Sequence, residues 1–298
     1  MELSGIFPAL TTPYRGDGSV AIDPFKENIR RYNQIGLAGY VVLGSTGESV
    51  LLSSAEGESL LAAAKQVAAS GKLLIAGTGA ESTAETIARC SRAAALGYDV
   101  ALVKTPYYYK PAYNSEAYLR HYRSVADASP IPVLLYSVPI FTGVALETPE
   151  ILALATHPNI IGIKDSSGVI QRVVEVAGQA PKTFHVLTGG AGVIYPALMA
   201  GAKGAILALA SALPERCLSV YQNWKSGRHV EALAQQQQLA RASKAIATDN
   251  GIAGLKCAMD LRGYAGGVPR LPLLPLTDEK KQQIHRLVTE LEPAAVTA

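Results

Sequence analysis

The sequence predicts an α/β fold, a (β/α)8 barrel carrying a C-terminal helical appendage. Three observations point there. A short β-branched or Leu-rich run ending in Gly and polar residues recurs eight times, each run is followed by an Ala-rich amphipathic stretch, and the repeat stops after the eighth unit. Strands alternating with helices at a spacing of roughly 20 to 35 residues specify parallel pairing through right-handed crossovers. Eight units close a barrel, whereas a doubly wound sheet has about five or six strands.

The strand runs, in order, are GIFPALTTP (5 to 13), GYVVLGSTGE (39 to 48), KLLIAGTGA (72 to 80) and DVALVKTPYYY (99 to 109). IPVLLYSVP (131 to 139), IIGIKDSSG (160 to 168), FHVLTGG (184 to 190) and KGAILALA (203 to 210) complete the set. Helix starts are marked by Asp23-Pro24 with Glu27, Ser53-Ser54-Ala55-Glu56, Ser82-Thr83-Ala84-Glu85 and Thr148-Pro149-Glu150. Each supplies a capping side chain or a first-turn proline just ahead of a helical run. From about Glu215 the chain reads as helix to its end, through the polar Gln235 to Gln238 stretch to a last helix near Asp278 to Glu292. GYAGGVPRLPLLPL (263 to 276) is too rich in Gly and Pro to be helical. At about 150 residues per domain, 298 residues point to two domains. The unit count divides them instead into a catalytic barrel, 1–225, and a helical region packed on it, 226–298.

Composition excludes several classes of function. Charged residues make up 17%, below the usual ~25%, and 49% are hydrophobic, so the chain has the material for a core and is not disordered. With 27 basic against 24 acidic residues and no basic runs, nucleic-acid binding is not expected. Cys90, Cys217 and Cys257 are far apart in apolar contexts and read as buried small hydrophobes, not as a disulfide or metal set. His121, His157, His185, His229 and His285 show no metal-ligand spacing, so no metal is expected. MELSGIFPAL lacks a basic segment ahead of an apolar one, and no stretch approaches ~20 apolar residues. A cytoplasmic protein without a membrane span is expected.

Barrel chemistry sits at the C-terminal ends of strands. Those ends offer Ser45 and Thr46, Thr78, Thr105 with Tyr107, Tyr108 and Tyr109, then Tyr136, Lys164 and Thr188. Lys164 ends the apolar run Ile160 to Ile163. Period-2 alternation places Gly162 on the same face, leaving space for the lysine stem. Burial opposes a charged ammonium, and a lysine that sheds its proton is the nucleophile of a Schiff base. The plainer alternative is that Lys164 pairs with Asp165 or extends out at the rim. Tyr136, with Ser45 and Thr46, could move the protons that an attack on a carbonyl requires. Lys104 is a rival amine on the fourth strand, without a glycine on its face. GSTGE (44 to 48) is either a carboxylate-holding turn or a simple βα turn. TGGAG (188 to 192) leaves open a phosphate site. The three adjacent tyrosines cannot all face one side, so at least one points into the mouth or across a subunit contact.

The motifs GSTGES (44 to 49), AGTGAEST (76 to 83), TPYYYKP (105 to 111), LYSVPIFTG (135 to 143) and IIGIKDSSG (160 to 168) resemble those of the dihydrodipicolinate synthase and N-acetylneuraminate lyase family of Schiff-base aldolases. The likeness runs from about Gly5 to Leu276. It implies a barrel with C-terminal helices, usually a homotetramer built as a dimer of dimers, with no metal or organic cofactor. By motif, it implies Lys164 as the Schiff-base lysine, Tyr136 as the proton-transfer residue and Ser45 as the relay hydroxyl. Tyr108 would be lent to the neighbouring subunit. Thr46 and Gly47 would take the substrate carboxylate, and Gly189 and Ile206 would line the site. Phe141 stands where synthases that use aspartate semialdehyde usually carry an arginine, and it forms no charge-assisted contact. Gly190, Ala191 and Gly192 lack the acidic pair of sialic-acid lyases. YSVP, HPNIIGIKDSSG and GIAGLKCAMDLRGYAGG (251 to 267) look most similar to the 4-hydroxy-2-oxoglutarate aldolase branch, where Ser166 would help bind a distal carboxylate. The expectation is therefore retro-aldol release of pyruvate from a small 2-oxo acid substrate. The alternatives are dihydrodipicolinate synthase itself and a non-catalytic barrel that binds a 2-oxo acid.

Overall fold

The computed structural model describes residues 1–291. Eight strands form one parallel sheet: β1 (Gly5–Pro8), β2 (Gly39–Val42), β3 (Leu73–Gly77), β4 (Val100–Lys104), β5 (Val133–Ser137), β6 (Ile160–Asp165), β7 (His185–Thr188) and β8 (Gly204–Leu207). Their order is β1-β8-β7-β6-β5-β4-β3-β2. The ends meet through Ala38 N–H to Ile6 O and Leu10 N–H to Val41 O, both 2.9 Å, so the sheet closes into the expected barrel.

Alternate residues fill the interior, where Phe7, Val41, Ile75, Leu102, Leu134 and Ile206 are buried together. The other face of each strand packs against the surrounding helices. Gly162 serves this packing in a way that differs from the sequence expectation. A Cβ there would lie 2.2 Å from the carbonyl oxygen of His185, its register partner on β7. Its missing side chain admits the neighbouring strand and does not make room for the Lys164 stem.

The helix starts divide by mechanism. Ser53 and Glu56 form a reciprocal capping box, with Glu56 N–H to Ser53 Oγ at 3.3 Å and Ser53 N–H to Glu56 Oε2 at 2.9 Å. Ser82 Oγ accepts from Glu85 N–H at 3.1 Å. Asp23 and Pro24 instead lie inside the first turn of helix Ile22–Asn33, whose cap residue, Ala21, makes no side-chain bond. Asp23 acts there on the helix dipole. Helix Thr148–Ala155 likewise has proline in its first turn and no side-chain cap.

Helix Pro214–Lys225 is the eighth barrel helix. Beyond it come helix His229–Ala242, a π-helical turn Ser243–Thr248, helix Gly251–Leu261 and helix Asp278–Leu291, with non-helical chain between the last two as expected. Glu292, the anticipated end of the last helix, lies outside the described residues, as does the rest of 292–298. Leu239, Ile246, Leu255, Met259, Ile284 and Val288 share one apolar cluster with Ile6, Val42 and Leu207, so barrel and appendage have a common core. The polar stretch at 235–238 fastens them together. Gln236 accepts from Tyr195 N–H at 2.8 Å and donates to Ala191 O at 3.0 Å, and Gln235 accepts from Ser219 and Asn223. Cys90 and Cys217 are buried as expected, but Cys257 is only half-buried. Among the described residues no helix is long and apolar enough to cross a membrane.

Candidate active site

Strand register builds the site. Lys104 on β4 pairs with Tyr136 on β5, which pairs with Lys164 on β6. Counting by twos from Leu102 and Leu134 in the barrel interior, all three side chains belong to one inward layer at the C-terminal mouth. Lys164 is 3% exposed, and its Nζ lies 4.1 Å from the centroid of the Tyr136 ring. It does not pair with Asp165, whose carboxylate accepts from Ser167 N–H at 2.8 Å and lies 4.0 Å from Arg172. The amine is enclosed against an aromatic face. The Tyr136 hydroxyl reaches on to Ser45 Oγ at 3.3 Å.

Ser45 sits on a single 3-10 turn, Ser45–Gly47, directly after β2. Leu43 at φ +62° and Glu48 at φ +56° bracket it, left-handed conformations that cost about 1–3 kcal/mol each in non-glycine residues. Surrounding structure imposes them. Gly77 presses so close that a Cβ there would lie 2.0 Å from Leu43 O. Thr12 Oγ1 donates to Gly47 O at 2.7 Å. The Glu48 carboxylate forms an ion pair with Lys256 at 2.6 Å and accepts from Arg270 N–H at 2.8 Å. Lys256 also donates to Thr12 O and Val268 O, both at 2.8 Å. Burial pulls Lys256 below the ordinary lysine range, and Glu48 opposes that shift. Arg270 grips Glu56, and this pair holds the Glu56 carboxyl at about 2. Sequence reasoning missed this network; its one visible trace is a lysine in the apolar run GIAGLKCAMDL.

A cavity of about 600 Å³ opens over this layer. Lys164, Tyr136, Ser45, Thr46, Phe141, Ser166 and Gly189 all face it. A Cβ at Gly189 would lie 1.8 Å from Ser166 Oγ, so the glycine is what lets that hydroxyl stand there. Three of the residues that the resemblance assigns to the site are not on the wall. Gly47 lies beneath the turn against Leu10 O, Ile206 is fully buried in the barrel interior below the site, and Tyr108 is 73% exposed, its ring edge-on to Tyr109. Of the three tyrosines, Tyr107 faces the cavity. Glu81 fixes this loop by accepting from Tyr107 and Tyr108 N–H, each at 2.9 Å. The TGGAG segment opens only a 3-10 turn and a six-residue helix, so it offers no long helix N-terminus for a phosphate. The π-helical turn and the helix after it add Ser243, Thr248 and Leu255 to the wall, a contribution from the appendage that sequence reasoning did not foresee. Among the described residues no three His, Cys, Asp or Glu side chains gather as a metal ion would require.

The chain is 34% identical over 290 residues to a 4-hydroxy-tetrahydrodipicolinate synthase of Methanothrix thermoacetophila, covering 96% of each chain. To the enzyme of that name from Xanthomonas campestris pv. campestris it is 36% identical over 287 residues, 96% of this chain and 94% of that one. Among solved structures, a dihydrodipicolinate synthase from Bacillus anthracis superposes with a TM-score of 0.93 at 28% identity, over 99% of this chain and 100% of the other. A family model matches residues 2–291, and the chain belongs to the dihydrodipicolinate synthetase family.

Proposed function

We propose that this lyase works through a Schiff base between Lys164 and pyruvate, or a 2-oxo acid that yields pyruvate, in the cytoplasm and without a metal or organic cofactor. The observation that carries the reading is the enclosed Lys164 amine lying on Tyr136, whose hydroxyl meets Ser45. Lys164 Nζ adds to the C2 carbonyl, and loss of water leaves the imine. Removal of a C3 proton turns the imine into an enamine, and the enamine carbon attacks an aldehyde carbonyl, whose oxygen takes up a proton. Cleavage runs the same steps backwards. Tyr136 and Ser45 carry the protons, joined by Tyr108 of a neighbouring copy in a homotetramer. Thr46, with its backbone N–H and Gly47 behind it, holds the C1 carboxylate and so sets the reacting bond against the imine plane.

The names of the relatives favour condensation with aspartate semialdehyde, as in 4-hydroxy-tetrahydrodipicolinate synthesis. A second reading, cleavage of 4-hydroxy-2-oxoglutarate to pyruvate and glyoxylate, is favoured by Phe141, an uncharged side chain on the cavity wall, and by the Ser166 hydroxyl facing the same space. Borohydride reduction in the presence of pyruvate should leave one covalent adduct on Lys164 in a peptide map. Label on Lys104 instead, or pyruvate that binds reversibly and is never trapped, would overturn the Schiff-base reading, the second outcome in favour of a non-catalytic binding barrel. Assays with aspartate semialdehyde and with 4-hydroxy-2-oxoglutarate then separate the two reactions.

A further inference from the structure

Four cationic side chains face the cavity among the described residues: Lys164, Arg89, Arg92 and Lys104. Three are committed. Lys164 is consumed by the proposed imine. Arg89 bonds Glu85 at 2.9 Å, and Arg92 bonds Glu85 at 2.8 Å and Glu58 at 3.3 Å. Lys104 differs from them. Its ammonium has three donors, yet among the described residues its one carboxylate contact is Glu81 Oε1 at 3.5 Å, the outer limit of a hydrogen bond. Glu81 cannot be drawn much closer, because its other oxygen is held by two backbone N–H groups. The ammonium also lies 4.7 Å from the centroid of the Tyr107 ring.

Lys104 is also built into the site. A Cβ at Gly79 would lie 2.6 Å from Lys104 N and 2.8 Å from its Cγ, so this glycine admits the lysine stem, a role sequence reasoning did not see because Gly79 is on another strand end. Adjacent strands lie about 4.8 Å apart, which puts Lys104 and Lys164 roughly 10 Å apart at their Cα atoms, with Tyr136 between them. Both side chains line the same cavity of about 600 Å³, which has room for a small dicarboxylate. Burial disfavours the ammonium charge, and Glu81 offsets part of that cost. Nearby His121 is held neutral at physiological pH, its value pushed down to about 4 by burial, so it adds no competing positive charge.

We infer that Lys104 is the specificity residue of this site, binding the second carboxylate of the substrate at the end remote from the imine. The inference rests on the Schiff-base reading, and it holds for either direction of that chemistry. A charge-assisted contact in a partly desolvated pocket contributes about a 10- to 100-fold preference.

The test compares partners that differ only at that end. For cleavage these are 4-hydroxy-2-oxoglutarate and 4-hydroxy-2-oxopentanoate, and for condensation with pyruvate they are aspartate semialdehyde and 3-aminobutanal; in the second member of each pair a methyl replaces the carboxylate. The wild-type protein should prefer the carboxylate-bearing member by about 10-fold or more in kcat/KM in the direction it catalyses. Lys104→Met should collapse that ratio towards one, and Lys104→Arg should keep most of it. Borohydride trapping of pyruvate on Lys164 in each variant reports that the site is folded. A preference that survives in Lys104→Met, or a wild-type protein without the preference in either direction, overturns the inference. Failure of the wild-type protein to trap pyruvate counts against the Schiff-base reading instead.

Discussion

Tyr136 contributes two separable things to the site, a ring on which the Lys164 amine lies and a hydroxyl that reaches Ser45. Tyr136→Phe keeps the wall and removes the proton carrier. We expect kcat to fall by about 10²- to 10⁴-fold, the usual worth of a positioned general acid or base, with a smaller change in the KM for pyruvate. A kcat within a few-fold of wild type in steady-state assays would remove Tyr136 from the relay. Lys164 and Tyr136 could be found in the sequence because strand ends in a barrel are addressable by counting, and each ends an apolar run. Ile206 could not be placed in that way. It falls within its run, and whether such a residue reaches the mouth depends on how far each strand is sheared against the next, which no single run encodes. The contact of Ser166 with Gly189 was hidden for the same reason: it joins two strand ends whose relative height only the assembled sheet defines.

The turn after β2 shows how an element can be held from outside itself. Its two left-handed residues are unfavourable alone, and they persist because Glu48 is tied to Lys256 and to Arg270 N–H, both from the appendage. Glu48 and Lys256 are each 1% exposed at the side chain, so removing one partner strands a buried charge. Lys256→Met should therefore destabilise the protein by about 3–5 kcal/mol, and the double variant Glu48→Leu with Lys256→Met should recover part of that loss. Denaturant unfolding of the three chains measures both numbers. A loss below about 1 kcal/mol for Lys256→Met would mean that the pair is not what fixes the turn. Local signals explain the uneven legibility of the elements. The Ser53 box is written in four consecutive residues, and the structure keeps it. The first helix carries Asp23-Pro24, a sound start signal that places the helix start two residues too late, because proline is accepted within a first turn as readily as at its first position.

At the scale of the whole molecule, the barrel was legible because eight periodic runs each announce themselves within a few residues. The shared core with the appendage was not, since its contacts join distant parts of the chain. Assembly lies further still from any local pattern, and the surface around the mouth bears on it. Tyr108, Tyr109, Ile140 and Phe141 are 73%, 66%, 73% and 62% exposed, a cluster of large apolar side chains beside the cavity. In the proposed mechanism a second copy covers that cluster and receives Tyr108 into its own relay. A mixing experiment tests this directly. Tyr108→Phe and Lys164→Ala chains, each of low activity alone, are unfolded together in equal amounts and refolded. In a mixed pair, the subunit that retains Lys164 is served by the intact Tyr108 of its partner. Half of randomly formed pairs are mixed and each holds one complete site, so about a quarter of wild-type activity should return. If Tyr108 acted within its own chain, no site in any pair would be complete, and the mixture would show only the average of its two parents.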